Sequence, residues 1–148
     1  MYDYIVIGGG IIGVSTALSL ITKQPDKRIL LVEKEKTFAQ HQTGHNSGVI
    51  HAGVYYQPGS LKAKFCREGL KETINYCSLH QIPYQQCGKL LVATDDIELN
   101  RMNELYERCR ANEIEVEILN QNQLTEIEPN VRGIGALLVK STGIVNYK

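Results

Sequence analysis

Three glycines at a fixed spacing constrain the fold of this chain more than any other feature. Gly8, Gly10 and Gly13 follow the apolar, β-branched run Tyr2–Ile7 and begin a run of helix-forming residues, Ile11–Lys23. The apolar run is typical of a buried strand, and glycine allows a tight turn between strand and helix. The sequence therefore predicts that the chain opens with a β-strand, a glycine turn and an α-helix.

A second strand and an acidic residue complete this pattern. Arg28–Val32 is another buried-strand run, and it leads directly to Glu33, 20 residues after Gly13. In dinucleotide-binding folds, the glycines let the backbone approach the pyrophosphate, and the acid accepts hydrogen bonds from the ribose hydroxyls. We therefore predict that the ADP half of NAD or FAD is bound, and the charge of the acid disfavours NADP. The predicted cofactor-binding residues of this unit are Gly8, Gly10, Gly13 and Glu33.

Composition limits the other classes of function. The 16 Lys and Arg residues are balanced by 16 Asp and Glu residues, so no net charge attracts nucleic acid. The four cysteines lack CxxC spacing, which predicts reduced, mostly buried thiols with packing roles and no metal site. Glycines interrupt the apolar run Tyr4–Thr22, so it is not read as a membrane span. We expect a cytoplasmic location, and leave open peripheral association with the inner face of a membrane.

A long irregular segment, residues 34–60, follows the second strand. Long loops inside a compact domain usually carry function. Its central part is rich in small polar residues, and it offers hydroxyl, amide and backbone N–H groups to the remainder of a cofactor. Further cofactor contacts are therefore predicted at Thr43, Gly44, His45, Asn46, Ser47 and Gly48.

The remainder of the chain alternates helix and strand signals. A stripe of apolar residues at helical spacing predicts a helix over 61–80, and Gly88–Thr94 is predicted to be a strand. Asp95 and Glu98 form a predicted capping box at the start of the next helix. Apolar and acidic residues then alternate over 114–118, which is typical of a half-exposed strand. This change from fully buried to half-exposed strands predicts a domain change near residue 81.

Four runs of residues have a pattern known from flavoenzymes: Gly44–Tyr56, Pro58–Ala63, Cys87–Thr94 and Gly143–Val145. On these runs the chain resembles the FAD-dependent L-2-hydroxyglutarate oxidase/dehydrogenase family, which belongs to the D-amino-acid-oxidase-like flavoproteins. The resemblance implies FAD as cofactor and oxidation of L-2-hydroxyglutarate to 2-oxoglutarate by hydride transfer to the flavin. One departure is Asn146, where that family pattern favours an acidic residue.

The resulting fold class is α/β: a Rossmann-like FAD-binding βαβ unit followed by the start of an α+β substrate domain with a mixed or antiparallel sheet. The predicted segments are 1–80 for FAD binding, 81–142 for the start of the substrate domain, and 143–148 for a return toward the FAD domain. We expect these 148 residues to be the N-terminal portion of a larger enzyme and to be inactive alone.

Oxidation of an alcohol also requires a group that takes the hydroxyl proton. An imidazole accepts a proton near neutral pH, and of the two loop histidines, His45 and His51, we prefer His51 as the catalytic base. Two alternatives stay open: His51 positions the flavin without exchanging protons, or the base belongs to another segment. His41 and His80 are interpreted as surface residues.

A basic set in the first turns of the helix predicted over 61–80 is a candidate for binding a substrate carboxylate: Lys62, Lys64 and Arg67. The alternative is a solvated basic face in which Lys64 pairs with Glu68. Tyr55 and Tyr56 are predicted to line the substrate pocket or to be core aromatics.

Two other functions are alternatives to the oxidation of a 2-hydroxy acid. One is an FAD-dependent oxidase or dehydrogenase of another small substrate, such as an amino acid or glycerol 3-phosphate. The other is a catalytically dead nucleotide-binding module. The electron acceptor, oxygen or a quinone, and the oligomeric state stay open.

Overall fold

A computed structural model describes residues 1–148. The chain packs as two compact units, residues 1–48 with 146–148 and residues 49–145.

The first unit is the predicted strand, helix and strand. Strands β1 (Tyr4–Ile7) and β2 (Ile29–Val32) are parallel, and helix α1 (Ile11–Lys23) connects them. Both strands begin later than predicted. At their N-terminal ends the Asp3 carboxylate accepts a hydrogen bond from the Arg28 N–H at 2.9 Å, so a side chain replaces part of the strand ladder there.

Apolar side chains of the first unit are partly exposed. The strand sequences are typical of strands covered on both faces of a complete sheet, yet Ile5 is 61% and Ile7 86% exposed, and Ile12 of α1 is 80% exposed. One helix and two strands are too few to cover both faces of a sheet, because each face needs its own packed layer. The fully buried apolar side chains all lie at Ile50 or later in the chain.

The second unit contains two three-stranded antiparallel sheets, with strand orders β3-β8-β4 and β5-β7-β6. Its strands are β3 (Val49–Ile50), β4 (Tyr84–Gln85), β5 (Leu90–Ala93), β6 (Glu117–Asn120), β7 (Gly135–Leu138) and β8 (Gly143–Val145). Its helices are α2 (Leu61–Leu79), α3 (Asp96–Ala111) and α4 (Gln121–Ile127). The predicted change from parallel to antiparallel pairing is therefore confirmed.

Helix α3 supplies much of the core of this unit. Met102 and Cys109 are buried, and Leu105 packs against both of the clusters to which they belong. At its start the Asp95 side chain accepts a hydrogen bond from the Glu98 N–H at 2.8 Å, as predicted. The reciprocal bond differs, because Glu98 accepts from the N–H of Thr94 rather than from that of Asp95.

Strand β6 corrects the alternation inferred from sequence. It begins at Glu117, so Ile114 lies before the strand, and the inward side chain is Leu119, which is 2% exposed. Ile118 faces outward and is 46% exposed. Leu119 faces inward because it packs with Leu124 of the following helix, and this tertiary contact sets the register.

The units do not divide at residue 81. Leu70 of α2 packs on the core cluster that contains Ala52 and Val54, which places the helix in the second unit. The segments 1–80, 81–142 and 143–148 concern the organisation of a whole protein and stay a prediction.

Candidate functional site

The turn between β1 and α1 is built by two glycines in close contact. Gly8 has φ +110°, a conformation that residues with a Cβ rarely adopt. A Cβ on Gly13 would lie 1.8 Å from the carbonyl oxygen of Gly8. The first turn of the helix therefore packs directly on the turn, and its backbone N–H groups lie at the edge of the sheet.

Glu33 is held at the end of β2 by backbone donors. Its Oε2 accepts a hydrogen bond from the Gly9 N–H at 2.5 Å, and its Oε1 accepts from the Glu35 N–H at 3.0 Å. These two bonds, the one from Glu35 first, lower the pKa of the Glu33 carboxyl below its ordinary value. The residue is therefore a fixed, ionised acceptor, the form that binds ribose hydroxyls.

Thr43 meets the start of α1 from the loop. Its Oγ1 accepts a hydrogen bond from the Ile11 N–H at 2.9 Å. A Cβ on Gly10 would lie 3.1 Å from the same oxygen, so this glycine leaves room for a polar group at the helix N-terminus. Such an N-terminus attracts anions through its N–H groups and dipole.

One cavity of about 410 Å³ in the first unit is lined by four of the predicted residues, whereas Gly13 lies outside its lining. Its size is that of a ligand site, and it combines a helix N-terminus for phosphates with a carboxylate for hydroxyl groups. The donor set and the glycine turn fit the ADP half of FAD. The cavity is lined by the predicted residues Gly8, Gly10, Glu33 and Thr43 and by Ile7, Val32, Lys34, Ala39, Gln40, His41 and Gln42.

The remaining predicted loop residues lie beside this cavity rather than in its lining. His45 Nδ1 lies 2.9 Å from the carbonyl oxygen of His41, and Asn46 donates to the carbonyl oxygens of Gln42 and Thr43. Asn46 also accepts from the Gly48 N–H at 2.7 Å, and Ser47 is exposed. A Cβ on Gly44 would lie 2.2 Å from the Ala39 carbonyl oxygen. These residues shape the loop that carries Thr43.

Sequence reasoning missed part of the cavity. Gly9 donates to Glu33, and the backbone of Ala39 returns to donate to the Gly9 carbonyl oxygen at 3.1 Å. His41, interpreted as a surface residue, is exposed but also lines the cavity and lies 2.8 Å from Glu35. The unbroken run of three glycines was the available signal for the first of these contacts.

His51 lies in the second unit and lines a different cavity, of about 140 Å³. Its ring is exposed and makes no hydrogen bond within the chain, whereas its carbonyl oxygen accepts from the Cys66 thiol at 3.2 Å. Besides His51, the cavity is lined by Ala52, Gly53, Val54, Tyr55, Tyr56, Lys89 and Thr142.

The backbone of this cavity wall is fixed from helix α3. Arg108 donates to the Tyr55 carbonyl oxygen at 3.3 Å, and Asn112, which is 8% exposed, donates to the Tyr56 carbonyl oxygen at 2.8 Å. Gly53 has φ +87°, and a Cβ there would lie 3.2 Å from the Cys66 sulfur. These contacts attach the loop from His51 to Tyr56 to helices α2 and α3, and its tyrosine side chains are partly exposed rather than in the core.

The basic set on α2 is largely neutralised. Lys64 pairs with Glu68 at 4.0 Å, as the alternative interpretation predicted, and Arg67 forms an ion pair with Glu113. Charges paired in this way attract a second carboxylate weakly. The cysteines also differ from the prediction in one respect, because Cys87 is exposed.

Comparison with known proteins decides the family. A model described as DAO, FAD dependent oxidoreductase, matches residues 3–148. The chain belongs to this family. Family membership confirms the predicted FAD cofactor, and the resemblance noted in the sequence is also confirmed by named relatives.

Two relatives of this family illustrate the match. The chain is 59% identical to L-2-hydroxyglutarate dehydrogenase of Escherichia coli K12 over 148 residues, covering all of the chain and 35% of the relative. It is 48% identical to the mitochondrial L-2-hydroxyglutarate dehydrogenase of Nematostella vectensis over 147 residues, 99% of the chain and 32% of the relative. The chain thus spans about a third of the length of these curated relatives.

Solved structures confirm the fold. L-alpha-glycerophosphate oxidase from Mycoplasma pneumoniae with FAD bound matches with a TM-score of 0.89 at 30% identity, over 99% of this chain and 39% of that one. Glycine oxidase from Geobacillus kaustophilus matches with a TM-score of 0.87 at 20% identity, over 99% of this chain and 41% of that one, a likeness of fold alone. None of the helices is both long and apolar enough to cross a membrane.

Proposed function

We propose that the whole protein oxidises L-2-hydroxyglutarate to 2-oxoglutarate with FAD as the hydride acceptor. The observation that carries this proposal is the 59% identity to the Escherichia coli L-2-hydroxyglutarate dehydrogenase across every residue of the chain. That range includes the residues that line both cavities, so the likeness extends beyond the common nucleotide-binding unit.

The first cavity supports FAD binding by this chain. The glycine turn brings the α1 N-terminus to the cavity, where its N–H groups suit the pyrophosphate. Glu33 is ionised and suits the ribose hydroxyls, because its low pKa keeps it an acceptor at neutral pH. Thr43 orders the loop against the helix through its bond to Ile11.

The proposed reaction needs a proton acceptor as well as a hydride acceptor. Bound FAD supplies the acceptor for the hydride that leaves C2 of the substrate. The His51 imidazole takes the proton of the C2 hydroxyl, so that the C2–O bond becomes a carbonyl. The ring of His51 makes no hydrogen bond within the chain and lies in the wall of the second cavity, which supports this role.

A reducing compartment such as the cytoplasm is part of the proposal. Its support is that all four cysteines are free, including the exposed Cys87. Structural disulfides form and persist in oxidising compartments.

Anaerobic rapid mixing of the flavin-loaded whole protein with candidate substrates tests the proposal. L-2-hydroxyglutarate should bleach the flavin absorbance, and stoichiometric 2-oxoglutarate should form. D-2-hydroxyglutarate is the matched control, because it differs only in the configuration at C2. Glycerol 3-phosphate is the second candidate, favoured by the 30% identity to a glycerophosphate oxidase. Bleaching by glycerol 3-phosphate and not by L-2-hydroxyglutarate would refute the proposal.

A further inference from the structure

The second cavity contains a lysine that the sequence did not single out. The Nζ of Lys89 lies 4.8 Å from the centre of the Tyr55 ring and 3.5 Å from the Tyr55 hydroxyl oxygen. An ammonium over an aromatic face is held electrostatically by the ring. Lys89 is partly buried, and both Lys89 and Tyr55 line the cavity.

The positive charge of Lys89 has no carboxylate partner. By contrast, Lys140 of the same unit pairs with Glu117 at 2.8 Å, and Lys64 pairs with Glu68. An ammonium has three donors, and the single long contact with a tyrosine hydroxyl leaves the others available. Lys89 is therefore the basic residue of this unit best placed to receive an anion inside a cavity.

Thr142 adds a hydroxyl-bearing residue to the lining of the same cavity. The residue is 4% exposed. A hydroxyl group both donates and accepts hydrogen bonds, so it suits a carboxylate bound in this cavity.

The backbone brings these two donors together. Lys89 exchanges two hydrogen bonds with Val139, at 3.1 and 2.8 Å, and the Gly88 N–H donates to the Thr142 carbonyl oxygen at 2.9 Å. Gly88 has φ +74°, which allows the chain to turn into β5 at this point. Backbone hydrogen bonds between the two chain segments thus place Lys89 and Thr142 at the same cavity.

We infer that Lys89, Thr142 and the Tyr55 hydroxyl form a subsite for a carboxylate of the substrate. A carboxylate accepts several hydrogen bonds at once, and it suits one cation with two neutral hydroxyls. The inference rests on the proposed function, since it makes this cavity the place where His51 and a 2-hydroxy acid meet. In this inference the substrate carboxylate is bound by Lys89 rather than by the ion-paired residues of α2, Lys64 and Arg67.

Binding of glutarate to the flavin-loaded whole protein tests the subsite. Glutarate carries both carboxylates of the proposed substrate but no hydroxyl, so it binds without turnover, and its binding can be followed by the perturbation of flavin absorbance. Lys89→Met keeps the length of the side chain and removes the charge. It should weaken glutarate binding about 10- to 100-fold, the usual effect of losing a charge-assisted hydrogen bond. Thr142→Val should weaken it several-fold.

Matched variants separate recognition from general effects of charge. Lys140→Met removes a cation from the same unit but outside the cavity, and it should leave glutarate affinity within about twofold, as surface substitutions usually do. Lys89→Arg should recover much of the lost affinity. For turnover, Lys89→Met should raise KM for L-2-hydroxyglutarate more than it lowers kcat, because it removes binding rather than proton transfer. Unchanged FAD content verifies that each variant is folded.

The failures of the two proposals are distinguishable. If the wild type binds glutarate but does not oxidise L-2-hydroxyglutarate, the proposed function is wrong, and the Lys89 variants still test the subsite. Wild-type glutarate affinity in the Lys89→Met protein, or no glutarate binding by the wild type, would overturn the subsite.

Discussion

Gly13 lies so close to Gly8 that a Cβ on Gly13 would come within 1.8 Å of the Gly8 carbonyl oxygen. This contact joins the first turn of α1 to the turn that follows β1. The carbonyl belongs to the backbone, so it moves only if the turn itself changes. The N-terminus of α1 therefore keeps its position at the cavity only if residue 13 is glycine, which has no Cβ.

Gly13→Ala should consequently displace the helix and impair cofactor retention. We expect loss of most bound FAD and a stability cost of about 1–3 kcal/mol, the usual range for overpacking. Flavin content after purification and thermal unfolding of the whole protein measure both effects. Gly69→Ala is the control, because a Cβ at this helical position meets nothing within 4 Å. It should retain FAD and stabilise the protein by about 0.5–1 kcal/mol.

The carboxyl group of Glu33 makes cofactor binding sensitive to acid. Backbone N–H donors lower its pKa, so its stabilising bonds are fully present above the ordinary value of 4.5 and are lost as the pH falls through the lowered value. FAD release, followed by the rise in flavin fluorescence during acid titration, should show a step in this acidic range. Glu33→Gln should bind FAD more weakly and lack that step. A variant with the same titration curve as the wild type would remove Glu33 from the site.

Much of the fold follows from local patterns. The glycine spacing fixes a turn and a helix start, and the structure begins α1 at Ile11 and ends it at Lys23, as predicted. The register of β6 did not follow in the same way. Glu115 and Glu117 alternate with apolar residues, but Leu119 faces inward because it packs with Leu124. A contact between separate elements decided that register, and periodicity within one segment does not contain it.

The candidate sites also contain residues that local sequence patterns predict and residues that they do not. Glu33 was predictable, because a fixed spacing relates it to the glycines along one βαβ unit. Lys89 was not, since its significance depends on Tyr55 and Thr142, which are distant in sequence. The paired state of Arg67 depends likewise on Glu113, 46 residues later. Contacts between residues that are distant in sequence decide which basic side chains lack a carboxylate partner. A local sequence motif does not contain this information.

The exposed apolar side chains of the first unit predict poor behaviour of these residues alone. Ile7 is 86% and Ile12 80% exposed, and further apolar side chains of α1 and β2 are half exposed. Such surface favours association and dye binding. The 148-residue polypeptide should therefore bind the hydrophobic dye ANS and aggregate on concentration. Paired substitution of Ile7 and Ile12 by Thr should reduce dye binding, whereas a sharp cooperative melt without dye binding in the unaltered polypeptide would contradict this expectation.

The last prediction concerns His51 as the proton acceptor of the proposed reaction. Its ring is exposed at the cavity that also contains Lys89, and no group of the chain occupies its nitrogens. His51→Ala in the whole protein should retain FAD, because His51 does not line the first cavity, which contains Glu33. The rate of flavin bleaching by L-2-hydroxyglutarate should fall by about a hundredfold or more, the usual scale for loss of a general base.

The pH dependence of that step distinguishes a base from a positioning residue. If His51 takes the hydroxyl proton, the bleaching rate of the wild type should rise with the fraction of neutral imidazole, and His51→Ala should lose this rise. His80→Ala is the matched control, because that ring contacts the Tyr76 ring in a tilted arrangement at the end of α2, with centroids 4.2 Å apart, and lines neither cavity. It should bleach at the wild-type rate. Near-normal bleaching in His51→Ala with FAD bound would place the base elsewhere, and loss of FAD would assign His51 to cofactor binding.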